Sequence, residues 1–311
     1  MDQELDTTLW GGVSCRPKRA NYWLGAEFML QILIQGMLLS GLYALIAVGF
    51  TLIFSVGRTL NLAYGAYLML GGYLYFWASQ SLGVPKSLAV LMAIAFGIVL
   101  GILKFRLIVK PLKGDHIAVE ISTLILAVVL QAGVILIFGD SSKILLPIVG
   151  GVIYVAGAPV TYNMLIATLA SWTILLSLYL FIRRTDIGRA MQAVSMDTKG
   201  AAICGIEPDR VNLITWALSG GLGALGGVFF ASYTQLAPSM WVGPLIISVA
   251  VVIVGGIGSI IGTLIVAHIV GFMEVIVVSV LAPELRGVFT MGLIILVLVL
   301  RPQGLFGREE L

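Results

Sequence analysis

Charge is scarce in this sequence: Asp, Glu, Lys and Arg make up 11% of its 311 residues, against 59% hydrophobic ones. Soluble domains carry about a quarter charged residues, so this composition excludes an ordinary water-exposed fold and leaves the membrane as solvent. Cysteine is almost missing, with Cys15 and Cys204 only, which excludes a disulfide framework. The two histidines, His116 and His268, lie far apart and no Cys or His cluster exists, so no metal site of zinc or iron type is expected. No G-x-x-x-x-G-K-[ST] phosphate loop occurs, and no Ser, His and Asp set falls in a catalytic context. The chain is therefore not expected to be an enzyme or to bind a cofactor. Its net charge of +3 comes from Lys and Arg in short loops; it reports orientation in the bilayer and implies no nucleic acid.

What is abundant is apolar length. A helix needs roughly 20 apolar residues to cross the hydrocarbon. Such stretches fall at 30–55, 60–79, 87–109, 117–139, 162–182, 211–233 and 259–281, with shorter ones at 244–257 and 286–300. The expected fold class is all-α, a polytopic transmembrane bundle of 8–9 spans. The stretch near 244–258 ends in Gly255-Gly256-Ile257-Gly258 and reads as a broken or half helix lining a cavity. Residues 1–28 hold three acids and the basic 16–19 cluster without a signal-peptide core, and read as a disordered extension. Met29 opens the first apolar run, so a translation start there is a hypothesis that the mass of the native N-terminus would test. Residues 29–302 form the membrane domain and 303–311 a cytoplasmic tail.

Basic residues set the sidedness. Lys104, Arg106, Lys110 and Lys113 are expected in one cytoplasmic loop, and Arg183, Arg184, Arg189, Lys199 and Arg210 in another two spans later. Segments 139–161 and 234–243 are nearly free of charge and belong to the opposite face, while Arg301 and Arg308 place the C-terminus inside. Nine spans put the N-terminus outside; eight, which the 16–19 cluster favours, put it inside.

Glycine is frequent, 37 residues, and Gly97 with Gly101, Gly223 with Gly227 and Gly258 with Gly262 have the four-residue spacing that lets helices approach closely in lipid. Packing within one subunit is the plain reading; a dimer seam or translocation pathway is the alternative. Ser40-Gly41-Leu42-Tyr43-Ala44-Leu45 and Ser219-Gly220-Gly221-Leu222-Gly223-Ala224-Leu225 form a faint internal echo, as in transporters built from repeated halves. Ionisable residues inside the spans are few: Glu120 near a span start, then His268 and Glu274. A proton- or sodium-coupled carrier would normally bury more, so the energy for transport is expected from a partner.

The polar island 183–210 is the one elaborate surface shown to water. Residues 198–204 read as a short helix, ended by Gly205-Ile206 and Glu207-Pro208. Such a helix between two spans can fit a cleft in a soluble subunit or lie flat as a plain connector. Within the bilayer Asn61, Tyr64, Gln131 and Glu274 are candidate pathway or gate residues, because a polar side chain at depth needs a partner or a watered cavity.

Gly188-Arg189-Ala190-Met191-Gln192-Ala193-Val194, then Asp197, Ala201-Ala202 and Gly205-Ile206, resemble the cytoplasmic coupling loop of permeases of the branched-chain amino acid ABC importer family. The likeness runs in order through nearly everything from Leu30 onward. It includes Gly41-Leu42-Tyr43-Ala44-Leu45-Ile46-Ala47-Val48-Gly49, Asn61-Leu62-Ala63-Tyr64-Gly65 and Met69-Leu70-Gly71-Gly72-Tyr73. It continues through Ile121-Ser122-Thr123 with Leu130-Gln131, Val254-Gly255-Gly256-Ile257-Gly258-Ser259 and Arg301-Pro302-Gln303-Gly304-Leu305-Phe306-Gly307. Length and layout look most like the H-type subunit. Two positions depart: Tyr64 stands where the family usually has His, and Lys199 where its coupling loop usually has Glu.

The resemblance implies half of a translocation pathway in a cell membrane, paired with a second permease. It implies two ATPase subunits holding ATP and Mg on the cytoplasmic side, and an extracytoplasmic binding protein that delivers Leu, Ile or Val. Gly188, Arg189, Ala193, Asp197, Lys199, Ala201, Ala202 and Gly205 would then carry the ATPase coupling. Relatives of this architecture carry urea, short amides or other amino acids, and a self-sufficient carrier or channel is the competing class.

Overall fold

A computed structural model describes residues 25–306 apart from 58, 113, 156–157, 257, 283–284, 286 and 302–303. Most of the expected N-terminal extension and of the C-terminal tail lies outside these residues. Eleven α-helices and one short hairpin occur among the described residues: α1 Ala26–Gly57, α2 Tyr64–Phe76, α3 Lys86–Lys104, α4 His116–Phe138, β1 Val152–Val155, β2 Ala158–Thr161, α5 Tyr162–Arg184, α6 Asp186–Met196, α7 Thr198–Ile203, α8 Pro208–Tyr233, α9 Val242–Gly255, α10 Ile260–Val280 and α11 Val288–Leu300. Six of the helices are long and apolar enough to cross a membrane. α2, α9 and α11 are shorter, and α2 gains length from a wide π-helical turn at Trp77–Ser81.

Local chemistry explains most boundaries. Asp115, Thr161, Thr185, Asp197 and Ser259 each accept a backbone N–H of the helix that follows, which satisfies a donor no helical carbonyl can reach. Gly205 closes α7 at φ +83°, and Pro208 opens α8, where its missing N–H costs nothing. Gly256 (φ +94°) and Gly258 (φ +82°) turn the chain between α9 and α10. The short helix expected at 244–258 is thus α9, and six long helices with the shorter α2, α9 and α11 fall at the nine expected apolar stretches among the described residues.

α1 and α8 form the buried centre, and α4 and α5 lie at the periphery with Leu136, Ile137 and Leu169 exposed, as lipid-facing residues should be. α1 packs along α10, and α8 packs along α3. Each half therefore contains a long helix, a short helix and a long helix, α1–α2–α3 and α8–α9–α10, running in opposite senses. The first helix of each half lies against the third helix of the other. This is the arrangement of an inverted repeat, and it gives the faint echo between 40–45 and 219–225 a structural counterpart.

Glycines make these contacts possible. A Cβ at Gly97 would collide with the Gly220 carbonyl, at Gly101 with the Trp216 carbonyl, and at Gly227 with the Leu68 carbonyl, and backbone cannot swing aside. The 97/101 and 223/227 pairs thus serve packing within the subunit. The 258/262 pair does not act as a helix pair: Gly258 sits in the turn, and Gly262 instead abuts Gly255 of α9. Two further features differ from expectation. Segment 139–161 contains the β1–β2 hairpin, paired antiparallel from Val152↔Thr161 to Val155↔Ala158, and Lys143 bridges to Leu236. The island holds two helices, α6 and α7, where one short helix at 198–204 was expected.

Candidate functional site

Asn61 lies in the extended segment between α1 and α2 and is 1% exposed. That segment is anchored by α4, since the Leu62 N–H donates to Thr123 Oγ1 (3.1 Å) and the Leu60 N–H reaches Glu120 Oε1 (3.4 Å). Asn61 Oδ1 accepts from Lys104 Nζ. Lys104 was expected in a cytoplasmic loop; it is instead the last residue of α3, 3% exposed, with Nζ 5.1 Å from the Trp216 ring and 5.5 Å from the Tyr67 ring. Those ring faces attract a cation. Sequence reasoning missed it, although the signal was present: Lys104 falls inside the 87–109 run, more than a turn ahead of Lys110 and Lys113.

Tyr64 is fully buried, and its hydroxyl donates to the Ile46 carbonyl (2.8 Å). Its ring meets Phe50 edge-on at 5.7 Å and packs against Gly49 and Gly223, so it joins α1, α2 and α8. Gln131 Oε1 accepts from Trp241 Nε1 (2.8 Å), just before α9, and Trp241 in turn lies on Gly65. Asn61, Tyr64 and Gln131 therefore gather around the starts of the two short helices α2 and α9. Glu274 is elsewhere. It is 3% exposed on α10, and Tyr43 Oη of α1 donates to its Oε2 (2.7 Å). His268, on the same helix, takes no part: its Nδ1 lies 2.7 Å from the Leu264 carbonyl, and its ring is 5.0 Å from that of Trp172.

The coupling residues divide into two groups. Gly188 is held so close to the end of α5 that a Cβ would strike the backbone of Phe181 and Ile182. Met191, Val194 and Ala201 form a small core with Val56 of α1 and Val211 of α8, with Ala193 half-buried beside them. α6–α7 thus packs directly on Val56 near the end of α1 and Val211 near the start of α8. Arg189, Asp197, Lys199, Ala202 and Gly205 face outward. Arg189 pairs with Asp186, and the Asp197 carboxylate accepts from the Lys199 N–H (2.9 Å). Met196 and Ile203, 67% and 87% exposed, add apolar contact points that the sequence alone did not single out.

An inverted repeat with two short helices meeting inside the bundle, and a two-helix element on its inner face, defines a membrane permease. Residues 32–298 match the family profile described as branched-chain amino acid transport system, permease component, and the chain belongs to that family. It is 29% identical over 296 residues to the high-affinity branched-chain amino acid transport system permease protein BraD of Pseudomonas aeruginosa, covering 90% of this chain and 96% of that one. It is also 29% identical over 303 residues to LivH of Escherichia coli, covering 91% and 97%. A ribose import permease, RbsC of Haemophilus influenzae, is 28% identical over 250 residues, covering 74% and 72%. No solved structure matches the chain. The protein is a multi-pass membrane permease.

Proposed function

We propose that this chain is one transmembrane half of an ATP-driven importer of branched-chain amino acids, moved by ATPase subunits that dock on α6–α7. The observation that carries the reading is the α6–α7 element itself. Its inner side is seated on α1, α5 and α8 through Gly188, Met191, Val194 and Ala201, while Met196 and Ile203 stand in water where a partner groove can take them. Closure of an ATPase dimer would displace this element as a unit. Val56 and Val211 would carry the displacement to α1 and α8, and the two repeats would rock against each other to change the side on which the pathway opens.

The second permease and the external binding protein follow from the same reading, as does the substrate class, which rests on relatives named for branched-chain amino acids. Asn61, Tyr64, Gln131 and Glu274 act in this scheme at the junctions that rocking must rearrange. Cys204, exposed beside Ile203, offers a direct test. A short thiol-reactive cross-linker on Cys204 in membranes holding the assembled transporter is expected to capture an ATPase subunit, with a yield that changes on adding ATP. Absence of an ATPase adduct in an assembly that still transports would remove the docking assignment.

A further inference from the structure

A cavity of about 320 Å³ lies at the end of the bundle away from the α6–α7 element, within the size range of small-molecule sites. Its walls come from the first part of α1, from β2, from the first turns of α5 and from the last turns of α8. α5 leads into α6 only at its far end, and the α6–α7 seats, Val56 and Val211, occupy the opposite ends of α1 and α8. Pro159 and Tyr233 on the lining are exposed, so the cavity reaches the surface, whereas Leu38, Leu42, Val160 and Ala167 are 6% exposed or less.

Two side-chain amides line this space from different helices. Asn163 of α5 is 6% exposed; its Oδ1 accepts from the Ile148 N–H (2.9 Å), and its Nδ2 has no partner among the described residues. Gln35 of α1 is half-buried, and its amide neither donates nor accepts among the described residues. Thr168 and Ser232 do not serve them, since each hydroxyl donates to backbone carbonyls of its own surroundings, Leu38 and Met164 for one and Val228 for the other. An amide N–H beside an apolar wall is costly to leave without an acceptor.

The lining also sets the charge of what can enter. None of it is acidic or basic, so a carboxylate or an ammonium would be taken from water with no partner of opposite sign. A neutral head that both accepts and donates meets Asn163 Nδ2 and the Gln35 amide together, while Leu38, Leu42, Ala167 and Phe229 offer surface to an alkyl body.

We propose that this cavity is a binding site for a small uncharged amphiphile, an alkyl amide or alcohol of a few carbon atoms. The ligand bridges α1 and α8, the first helices of the two inverted halves, with α5 beside them. A free amino acid carries two charges that the lining cannot meet, so the site is separate from the cargo proposed above and does not rest on that reading.

The test is thermal unfolding of the purified full chain in lipid nanodiscs, titrated with isovaleramide, 3-methylbutan-1-ol or sodium isovalerate, which share one alkyl body. The native chain is compared with Gln35→Leu, which gives up no bond among the described residues, and with Ala167→Leu, which fills the space. Partition into lipid acts on all three chains alike, so the difference between them reads the site. With the amide or the alcohol the native midpoint is expected to rise by about 2 °C or more beyond that of either variant, and with isovalerate it is not. The larger of the amide and alcohol responses identifies the head group. Equal responses of native and variant chains overturn the proposal, as does a site-dependent rise with isovalerate as large as that with the neutral compounds; should Ala167→Leu not fold, the native and Gln35→Leu chains decide alone.

Discussion

The two halves of the bundle place ionisable side chains of opposite kind at matching positions. On α3 the run Gly101-Ile102-Leu103-Lys104 sets a glycine against the backbone of α8 and a buried lysine one turn later. On α10 the run Gly271-Phe272-Met273-Glu274 sets a glycine against Ser40 of α1 and a buried anion one turn later. Both charged residues are 3% exposed. Because the halves are inverted, the lysine and the glutamate sit toward opposite ends of the bundle. The glycine contacts are rigid, backbone on backbone, whereas each charge is held through a side chain on another helix: Lys104 by Asn61, and Glu274 by Tyr43.

This comparison is broken most severely at the glycines. Gly101→Val and Gly271→Val are each expected to destabilise the fold by about 3 kcal/mol or more, since neither facing backbone can yield. Both should lower the amount of folded permease in the membrane, measured by fluorescence-detected size exclusion. Gly133→Val is the control; nothing lies within contact distance of a Cβ there, and its effect should stay near that of an exposed valine in a helix. A collapse at Gly101 with tolerance at Gly271 would show that the halves are not mechanically equivalent.

Gly188→Val should force α6 from the end of α5, a cost of about 1–3 kcal/mol, and uncouple transport from ATP hydrolysis while the bundle still folds. ATPase activity measured beside uptake separates coupling from folding. Glu274→Gln keeps an acceptor for the Tyr43 hydroxyl and removes the charge; uptake is expected to fall roughly tenfold at unchanged protein level, which is the loss of one charge-assisted hydrogen bond. Tyr43→Phe should fall less. The smallest effect is at Asp197, where alanine removes the cap of α7 and is expected to cost about 1 kcal/mol, visible as faster proteolysis within 196–206.

Much of the fold was legible because a bilayer imposes simple rules. Apolar length located the six long helices and the shorter α2, α9 and α11 within a few residues, and Gly205 placed the end of α7, while α6 was not foreseen. The 152–161 hairpin escaped because its strands are four residues each and too short for an alternating pattern to stand out. The π-helical turns at Trp77–Ser81 and Phe105–Val109 leave no periodic trace either. Asn61, Gln131 and Glu274 could be selected as costly polar groups, but Lys104, Trp241 and Tyr43 could not be assigned to them. Those pairs join residues 43, 110 and 231 positions apart, and only packing brings them together. Lys104 stands close in sequence to three basic residues that follow it, but its place at the end of α3, packed against Trp216 and Tyr67, decides its burial.

The most direct test is uptake of labelled leucine by proteoliposomes containing this chain with its second permease, its ATPase subunits and the external binding protein, with ATP present or absent inside the system. Uptake is expected to require ATP and to be lost in Gly188→Val. Leucine accumulation at the same rate without ATP, or by this chain alone, would contradict it.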